Sequence, residues 1–466
     1  MFVILSWDCV DTPDSSGDKL IGPPTQDSSS HWKDIPWGNI IGVQPSPGSN
    51  GESRTVLYVD DNTAAQDDAT KSPVVFRSIV ASKLPHDCLQ DVQHLGESDW
   101  RARYAAGAES PNLHVLVSTG SGTGLARSVW ELSLKPLLSW LGLKQGEDYA
   151  PHFTSSETTV AELTQEIFLP RANMGTAQVI TLLSGDGGMV DLVNAVLSGQ
   201  RSQQYLKPVV TLLPLGTGNA LAHSTGITGD NTMGLRTWLQ GSPKELPLFR
   251  ATFSPGARSL IDEGQKDCLL QEVDGKPTLH GAVVASWGLH AGLVADSDTT
   301  EFRKFGAERF KMAAKEALYP SDGSPSHAYK GRVSVLKRGA DGEEHWEDID
   351  RPDHGYVLAT LVSHLEKGFT ISPGSTALDG KLRLVHFGAM SGQKAMEIMM
   401  QAYDGGKHIG NDRVGYEEME GFRIDFQEEE ARWRRVCIDG KIVRVEKGGW
   451  MEVRGGVSGV VDLVVM

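Results

Sequence analysis

Three apolar runs near the middle of the chain share one arrangement. Each is five or six residues long and leads into a glycine-rich turn, after which apolar residues recur at helical spacing. A strand followed by a glycine loop and a helix, repeated in this way, is typical of parallel βαβ units. The pattern therefore predicts an α/β domain over residues 105–245. The three runs are His114–Ser118, Gln178–Leu183 and Val209–Leu213.

The residues on either side of this region follow a different pattern. Before residue 105, short β-like runs such as Val56–Val59 and Val74–Val80 alternate with turn-rich stretches, which predicts a small β-rich extension (1–104) with mobile loops. After residue 245, apolar and polar positions alternate, as in Gly331–Leu336, which predicts half-buried antiparallel strands. We therefore expect a β domain over residues 246–466, after the α/β domain.

Composition and charge narrow the class of protein. Glycine supplies 52 of the 466 residues, above the usual share of about 7%. The net charge of −16 argues against broad contact with nucleic acid, and a hydrophobic content of 39% excludes a disordered chain. No apolar run approaches the ~20 residues that span a bilayer. Four scattered cysteines and a first segment without a basic leader predict an intracellular, soluble protein with free thiols.

The glycine turns have two possible purposes. Loop amides and the positive end of a helix bind phosphate without a basic side chain, but tight strand-to-helix turns also need glycine for geometry alone. The GxGxxG and GxxxxGK[ST] patterns are both missing from these turns, so a standard nucleotide motif is not assigned. Because ligands gather at the carboxyl ends of parallel strands, we expect the turns to form one site.

Asp186 is unusual because it lies inside one of these turns. A carboxylate would repel a phosphate bound there, unless it holds Mg²⁺ or takes a proton from an attacking hydroxyl. Asp is also a good helix N-cap. The residues alone leave both interpretations open.

Several ordered motifs over residues 112–466 resemble the diacylglycerol-kinase catalytic-domain family, and the second glycine motif is most similar to its sphingosine (long-chain base) kinase branch. The motifs are Ser184–Gly187 with Asp191 and Asn194 (SGDG…E..N), Pro214–Ala222 (second glycine motif), Ala295–Phe310 (AD.D…E…R..G..RF), and the DG turns Asp379–Gly380 and Asp439–Gly440.

The resemblance implies transfer of the γ-phosphate of ATP, with Mg²⁺, to the primary hydroxyl of a lipid. It implies a Rossmann-like α/β nucleotide domain followed by an antiparallel β-sandwich that binds the lipid, with the nucleotide in the cleft between them. Asp186 would be the general base and a candidate metal ligand. The nucleotide-binding residues that it implies are Ser118, Gly122, Gly124, Thr154, Ser184, Gly185, Gly187, Asp191, Gly216, Thr217, Gly218, Asn219, Arg303, Arg309 and Asp439.

For the lipid, the resemblance implies that Asp298, with Asp296 nearby, meets the amine and hydroxyl of a sphingoid base. Met399, on a Met-rich helix, and His408 would line the lipid pocket. Taken alone, these residues have simpler explanations: the aspartates as turn residues, the methionine as core and the histidine as a structural residue. Taken alone, Arg303 and Arg309 fit solvated surface residues better than phosphate-binding ones.

The chain departs from the family pattern at three places, and these departures put its nucleotide affinity in doubt. The first motif, Ser118–Gly124, lacks the usual Asn-Pro and lysine. Lys441 stands after Asp439–Gly440, where the family has glutamate, and Asp191 replaces another glutamate.

The sequence therefore predicts an ATP-dependent sphingoid-base kinase that is cytoplasmic, touches membranes transiently to reach its lipid substrate and does not bind nucleic acid. One alternative is a kinase of the same fold for diacylglycerol or ceramide. Another is a degenerate member of the family that binds lipid without turnover.

Overall fold

The protein is a mixed α/β structure with several β sheets. Within its described part, no helix is both long and apolar enough to cross a membrane. Two of the predicted site residues, Asp298 and Arg303, lie outside the described residues. The computed structural model describes residues 2–7, 31–46, 53–66, 70–81, 111–120, 122, 124–261, 264–297, 302, 305 and 308–466.

A six-stranded sheet, called here the parallel sheet, contains the three predicted strands, which are thereby confirmed. Its first strand is antiparallel to the second, and the other neighbours are parallel. Every residue of Val179–Ser184 is buried, as is usual for a central strand covered on both faces. In order across the sheet, the strands are Ser242–Glu245, Asp462–Val465, Val209–Pro214, Val179–Ser184, Leu113–Val117 and Tyr149–Phe153.

Two helical stretches beside this sheet each contain a five-residue π-helical turn, Trp130–Leu134 and Thr164–Phe168. Each turn comes just before an α-helical segment whose second residue is proline, Pro136 or Pro170. Proline lacks an N–H and its ring crowds the preceding turn, which the wider π turn accommodates. The α-helices of this part are Ala126–Val129, Lys135–Trp140, Thr159–Leu163, Leu169–Asn173, Asp186–Ser198, Ala220–Ser224 and Leu235–Gln240.

Two large antiparallel sheets follow, and residues of both sheets, including Phe249, Trp287 and Phe422, share one core cluster. The seven-stranded sheet contains, in order, Glu272–Val273, Lys276–Gly281, Leu248–Phe253, Trp450–Val457, Gly421–Phe426, Gly331–Arg338 and Glu344–Asp348. The eight-stranded sheet contains, in order, Lys266–Leu269, Arg258–Ile261, Lys441–Arg444, Arg435–Ile438, Val284–Gly288, Tyr356–Thr360, Leu382–Phe387 and Val414–Met419.

Among the described residues, three α-helices and a small hairpin accompany these sheets. The helices are Leu289–Ser297, Glu308–Leu318 and Gly392–Tyr403, and the hairpin joins His364–Glu366 to Phe369–Thr370. The last strand of the chain, Asp462–Val465, returns to the parallel sheet and pairs with Val209 and Val210. This strand comes from the predicted β domain (246–466) but belongs to the sheet of the α/β part.

The N-terminal β-like runs form strands. Ile40–Pro45, Arg54–Asp61 and Val74–Ala81 make a three-stranded antiparallel sheet, called here the N-terminal sheet. Ile41 and Leu57 of this sheet share a core cluster with Trp238 and other residues beside the parallel sheet. Phe2–Trp7 pairs with His31–Pro36 in a separate ribbon. The N-terminal sheet is therefore packed against the α/β part rather than standing apart from it.

Candidate active site

The three glycine loops meet at the carboxyl ends of neighbouring parallel strands. A Cβ atom added to Gly122 would lie 2.3 Å from the Leu215 carbonyl oxygen and 2.6 Å from the Gly216 Cα. One added to Gly185 would lie 2.7 Å from the same Cα. Such distances are shorter than van der Waals contact allows, so these three glycines are needed for the loops to pack together.

Other glycines of the loops face open space. A Cβ added to Gly187 or Gly124 would meet no atom of the described residues within 4 Å. Gly187 is exposed in the first turn of the helix Asp186–Ser198, and Gly124 has a φ of +73°. The glycines therefore serve two purposes: some close the loops onto one another, and others leave backbone accessible to a ligand.

Asp186 connects two of the loops. It is the first residue of the helix Asp186–Ser198, and its Oδ2 accepts a hydrogen bond from the Ala220 amide at 2.8 Å. Its Oδ1 accepts another from the Leu221 amide at 3.0 Å. Both amides begin the helix Ala220–Ser224, so Asp186 caps a neighbouring helix, which the sequence did not predict. Burial raises the pKa of Asp186, against the lowering effect of the two amides.

The second glycine loop is closed by Asn219. The Gly216 amide donates to Asn219 Oδ1 and Asn219 Nδ2 donates to the Gly216 carbonyl, both at 2.9 Å. Asn219 has a φ of +53°, in the left-handed region that asparagine tolerates better than most residues. This side chain therefore fixes the turn through Thr217 and Gly218, and with it the direction of the amides that hold Asp186.

The first glycine loop is tied to the strand Tyr149–Phe153 through Thr154. The Thr119 amide donates to Thr154 Oγ1 at 3.0 Å, and the Thr119 hydroxyl donates to the Thr154 carbonyl at 2.7 Å. The Ser118 amide donates to the Leu183 carbonyl, next to the buried Ser184. The structure thus brings Ser118, Thr154 and Ser184 together at one edge of the parallel sheet.

Asp439 reaches the same region from the antiparallel part of the chain. With Gly440 it forms a two-residue hairpin turn in which both residues have positive φ, as in a type I′ turn. Its carboxylate accepts hydrogen bonds from the amides of Ala282, Val283 and Val284. Burial raises the pKa of Asp439 to about 7, and the negative charge of Asp186 contributes to the rise. An ionised Asp186 therefore disfavours the ionised form of Asp439.

Two departures from the family pattern contact each other. Lys441 Nζ lies 2.6 Å from Asp191 Oδ1, which joins the helix Asp186–Ser198 to the hairpin of Asp439. One turn further along that helix, Asn194 donates to the His280 carbonyl and accepts from the His280 amide, both at 2.9 Å. The helix that begins with Asp186 is thus attached to the antiparallel part at two points.

The predicted lipid-binding residues that the structure describes already contact other parts of the protein. Asp296 pairs with Arg432 at 3.1 Å and with Arg435 at 2.8 Å, so two guanidinium groups already engage its carboxylate. His408 is buried and its Nε2 donates to the Ile371 carbonyl at 3.0 Å, while burial lowers its pKa. Met399 packs partly buried against the main core cluster. Lipid contact by these three side chains stays a prediction.

Arg309, the described member of the two predicted phosphate-binding arginines, lies in the first turn of the helix Glu308–Leu318. Its guanidinium group is 4.8 Å from the centre of the Phe310 ring. Phosphate binding by Arg309 therefore stays a prediction.

The donor set for a metal ion is small. The described residues contain no group of three histidine, cysteine or acidic side chains that could hold a metal. Both oxygens of Asp186 already accept backbone amides. Mg²⁺ is commonly held by one or two carboxylates together with substrate phosphates. The residues present therefore fit an ion carried mainly by nucleotide phosphates and do not form a protein cage.

Besides the amides of Ala220 and Leu221, three contributors to this site were not predicted from the sequence. The amides of Ala282–Val284 and the carbonyl of His280 carry no side-chain signal, so a single sequence does not reveal them. The Asp191–Lys441 pair did leave a signal, because the two departures carry opposite charges. Because each departure was considered by itself, the ion pair between Asp191 and Lys441 was not predicted from the sequence.

Comparisons with known proteins agree with the motifs. Residues 112–251 match the sequence profile of the diacylglycerol kinase catalytic domain. The chain is similar to human sphingosine kinase 1, with 22% identity over 334 residues that cover 63% of this chain and 77% of that protein. Human sphingosine kinase 2 is 25% identical over 235 residues, which cover 48% of this chain and only 30% of that protein.

Sphingosine kinase 1 of Arabidopsis thaliana is 20% identical over 343 residues, covering 67% of this chain and 64% of that protein. Among solved structures, a diacylglycerol kinase from Bacillus anthracis str. Sterne covers 77% of this chain and 98% of its own, with 12% identity and a TM-score of 0.45. The family resemblance drawn from the motifs is thereby confirmed by the profile and by the curated relatives.

Proposed function

We propose that this chain, whose residues 112–251 match the profile of the diacylglycerol kinase catalytic domain, is an ATP-dependent lipid kinase that phosphorylates the primary hydroxyl of a sphingoid base. In this proposal residues 105–245 are a Rossmann-like nucleotide domain, and residues 246–466 are a β-sandwich that binds the lipid. Residues 1–104 are an N-terminal extension, and its described N-terminal sheet packs against the first domain. The names of the curated relatives support the choice of sphingoid base.

One observation carries the proposal: the first two amides of the helix Ala220–Ser224, which follows the second glycine loop, hold the Asp186 carboxylate where the three loops meet. Phosphoryl transfer depends mainly on positioning and charge neutralisation. Each Asp186 oxygen keeps a lone pair after accepting one amide, so the carboxylate can accept the proton of the lipid hydroxyl. Burial, by raising the pKa of Asp186, makes it a stronger base.

The nucleotide would lie over the exposed backbone of Gly124 and Gly187. Their positions offer amides and the positive end of a 13-residue helix to the phosphates. Mg²⁺, when bound to those phosphates, would neutralise their charge, with Asp186 as a candidate protein ligand. The site would also be lined by Ser118, Thr154 and Ser184, beside the first glycine loop.

The lipid side of the proposal rests on the antiparallel part. Because Asp296 is already paired with Arg432 and Arg435, we assign the contact with the substrate amine to Asp298. The Met-rich helix Gly392–Tyr403, with Met399 facing the core cluster, would contact the alkyl chain. We further propose a cytoplasmic location with transient, peripheral contact to the membrane that contains the substrate.

Two alternatives remain within the same family. A kinase of this fold for diacylglycerol or ceramide would keep the Asp186 geometry unchanged. A degenerate member that binds lipid without turnover is favoured by a specific feature, the loss of the usual asparagine and lysine from Ser118–Gly124. The Asp191–Lys441 pair also belongs to this argument, because it changes the charge beside the proposed nucleotide site.

The test is transfer of label from γ-labelled ATP across a panel that contains sphingosine, a saturated sphingoid base, diacylglycerol and ceramide. We expect label on the sphingoid bases. Label on diacylglycerol or ceramide alone would replace the substrate in our proposal. No labelled lipid, together with retained lipid binding, would favour the degenerate member.

A further inference from the structure

The Asp191–Lys441 pair joins two elements that carry residues of the proposed nucleotide site. Asp191 is on the helix that begins with Asp186, and Lys441 follows Asp439 by two residues. Lys441 Nζ lies 2.6 Å from Asp191 Oδ1. The Lys441 side chain is 37% exposed and the Asp191 side chain is 20% exposed. Both side chains are therefore partly exposed to solvent.

The surface beside this pair is acidic. A groove of about 460 Å³ lies next to it, lined by Glu162 and Glu166 of one helical stretch and by Asp191 and Asn194 of the next. Three carboxylates on one groove would repel a polyphosphate. Lys441 neutralises the one of them that lies on the helix of Asp186.

The attachment of that helix does not depend on the ion pair alone. Asn194 holds the same helix to His280 with two backbone hydrogen bonds of 2.9 Å. Loss of the charge on Lys441 would therefore leave a second attachment in place. This separates the electrostatic effect of the pair from an effect on the fold.

We propose that Lys441 sets the affinity of this chain for ATP by neutralising Asp191 at the rim of the nucleotide site. The inference rests on the proposed function, since it takes ATP as the ligand of the glycine loops. An unpaired Asp191 carboxylate would repel the incoming tetra-anion, whereas an unpaired Lys441 ammonium would attract it. Lys441 is in this view an affinity-determining residue, with no part in proton transfer.

The proposal predicts effects of opposite sign for the two partners. Lys441→Gln weakens ATP binding by about three- to tenfold, which is the scale of one unscreened charge near a polyanion. Asp191→Asn strengthens it by up to about threefold for the same reason. The double variant, with neither charge, returns close to the wild-type dissociation constant. Raising the salt concentration reduces all of these differences, because added ions screen exposed charges.

The measurement is calorimetric titration of the full chain with ATP, without lipid, at low and at high salt. Thermal unfolding of each variant shows whether the fold is retained. The matched control is Lys447→Gln, which removes a lysine from an exposed pair with Glu429, in the turn that follows the second strand of that hairpin. We expect the control to bind ATP as the wild type does.

The outcomes distinguish the inference from the proposed function. Equal ATP binding by the wild type and Lys441→Gln would overturn the inference and leave the kinase proposal standing. Weaker binding by both single variants, without recovery in the double variant, would also overturn it, because it would show that the pair acts as a mechanical link. No ATP binding by the wild type would overturn both proposals together.

Discussion

The Asp186 carboxylate accepts a hydrogen bond from the Ala220 amide at 2.8 Å, so the candidate base is fixed by the helix that follows the second glycine loop. The Leu221 amide holds its other oxygen. The position of the base is therefore coupled to the turn that Asn219 closes. A change in either loop is expected to affect the chemistry of both.

Replacement of Asp186 by asparagine is the most direct test of the base. We expect Asp186→Asn to lose at least about 100-fold in turnover, the usual scale of general-base catalysis, while ATP binding is retained. The amide group can accept from one loop N–H but presents its own NH₂ to the other. That mismatch is expected to cost about 1–3 kcal/mol in the free energy of unfolding. Label transfer, ATP titration and urea unfolding measure the three quantities.

The matched control for this test is Asp341→Asn, which changes an exposed aspartate in a turn of the antiparallel part. Its turnover is expected to equal that of the wild type. Equal turnover by Asp186→Asn and the wild type would show that Asp186 is a helix cap only.

The two groups of glycines predict different results for the same substitution. Gly216→Ala would place a Cβ atom 2.4 Å from the Gly185 Cα and 2.8 Å from Asn219 Oδ1. We expect it to lower the free energy of unfolding by about 1–3 kcal/mol, as overpacked sites do. Gly187→Ala meets open space within a helix and is expected to keep or slightly raise stability, by up to about 1 kcal/mol.

Kinase activity should also distinguish Gly187 from Gly216. Because Gly187 leaves backbone exposed where we place the phosphates, Gly187→Ala is expected to raise KM for ATP without loss of stability. Thermal unfolding and steady-state kinetics on the same preparations provide the comparison. Unchanged kinetics in Gly187→Ala would mean that no ligand approaches this turn closely.

The parallel strands and their loops were predictable because they leave a strong local signal. Continuous apolar runs such as Val179–Leu183 are typical of strands buried on both faces, and glycine turns mark where they end. The place of Asp186 just after this strand also followed from sequence, although the structure makes it the first residue of a helix and not part of the turn. Its hydrogen bonds to Ala220 and Leu221 did not, because backbone donors look alike in every sequence.

Long-range pairings were beyond a single sequence for the same reason. The strand Asp462–Val465 looks like any short apolar run, and its place beside Val209–Pro214 depends on how the whole chain folds back. The pairing of Asp296 with Arg432 and Arg435 joins residues that are far apart in the chain. The motif suggested a ligand for Asp296, and the structure supplies two protein partners.

Asp439 predicts a specific dependence of stability on pH. Burial raises its pKa from the ordinary value of 3.8 to about 7 in the folded protein. Between about pH 4 and about pH 7 the unfolded chain releases this proton while the folded one retains it, so rising pH favours unfolding. The contribution of Asp439 to stability is thus largest below about pH 4 and is lost as the pH rises through about 7.

Asp439→Asn has no carboxyl group to titrate at this position. The difference between wild type and variant therefore reports the pH dependence that comes from Asp439 and not from other groups. We expect the free energy of unfolding of the wild type, relative to that of the variant, to fall between about pH 4 and about pH 7 and to stay constant above. Urea unfolding across that range measures the difference. A constant difference would show that the three amides of Ala282–Val284 keep the pKa of Asp439 low.

The N-terminal sheet is expected to unfold together with the α/β part. Leu57 is fully buried in the cluster that also contains Trp130 and Trp238. Leu57→Ala should therefore lower the free energy of unfolding by about 2–5 kcal/mol, the cost of a large buried truncation, in one cooperative transition followed by tryptophan fluorescence. Arg77→Ala, an exposed change on the same sheet, serves as the control and is expected to stay within about 0.5 kcal/mol of the wild type. A separate early transition in Leu57→Ala, with the main transition unmoved, would instead show that the sheet folds independently of the proposed nucleotide site.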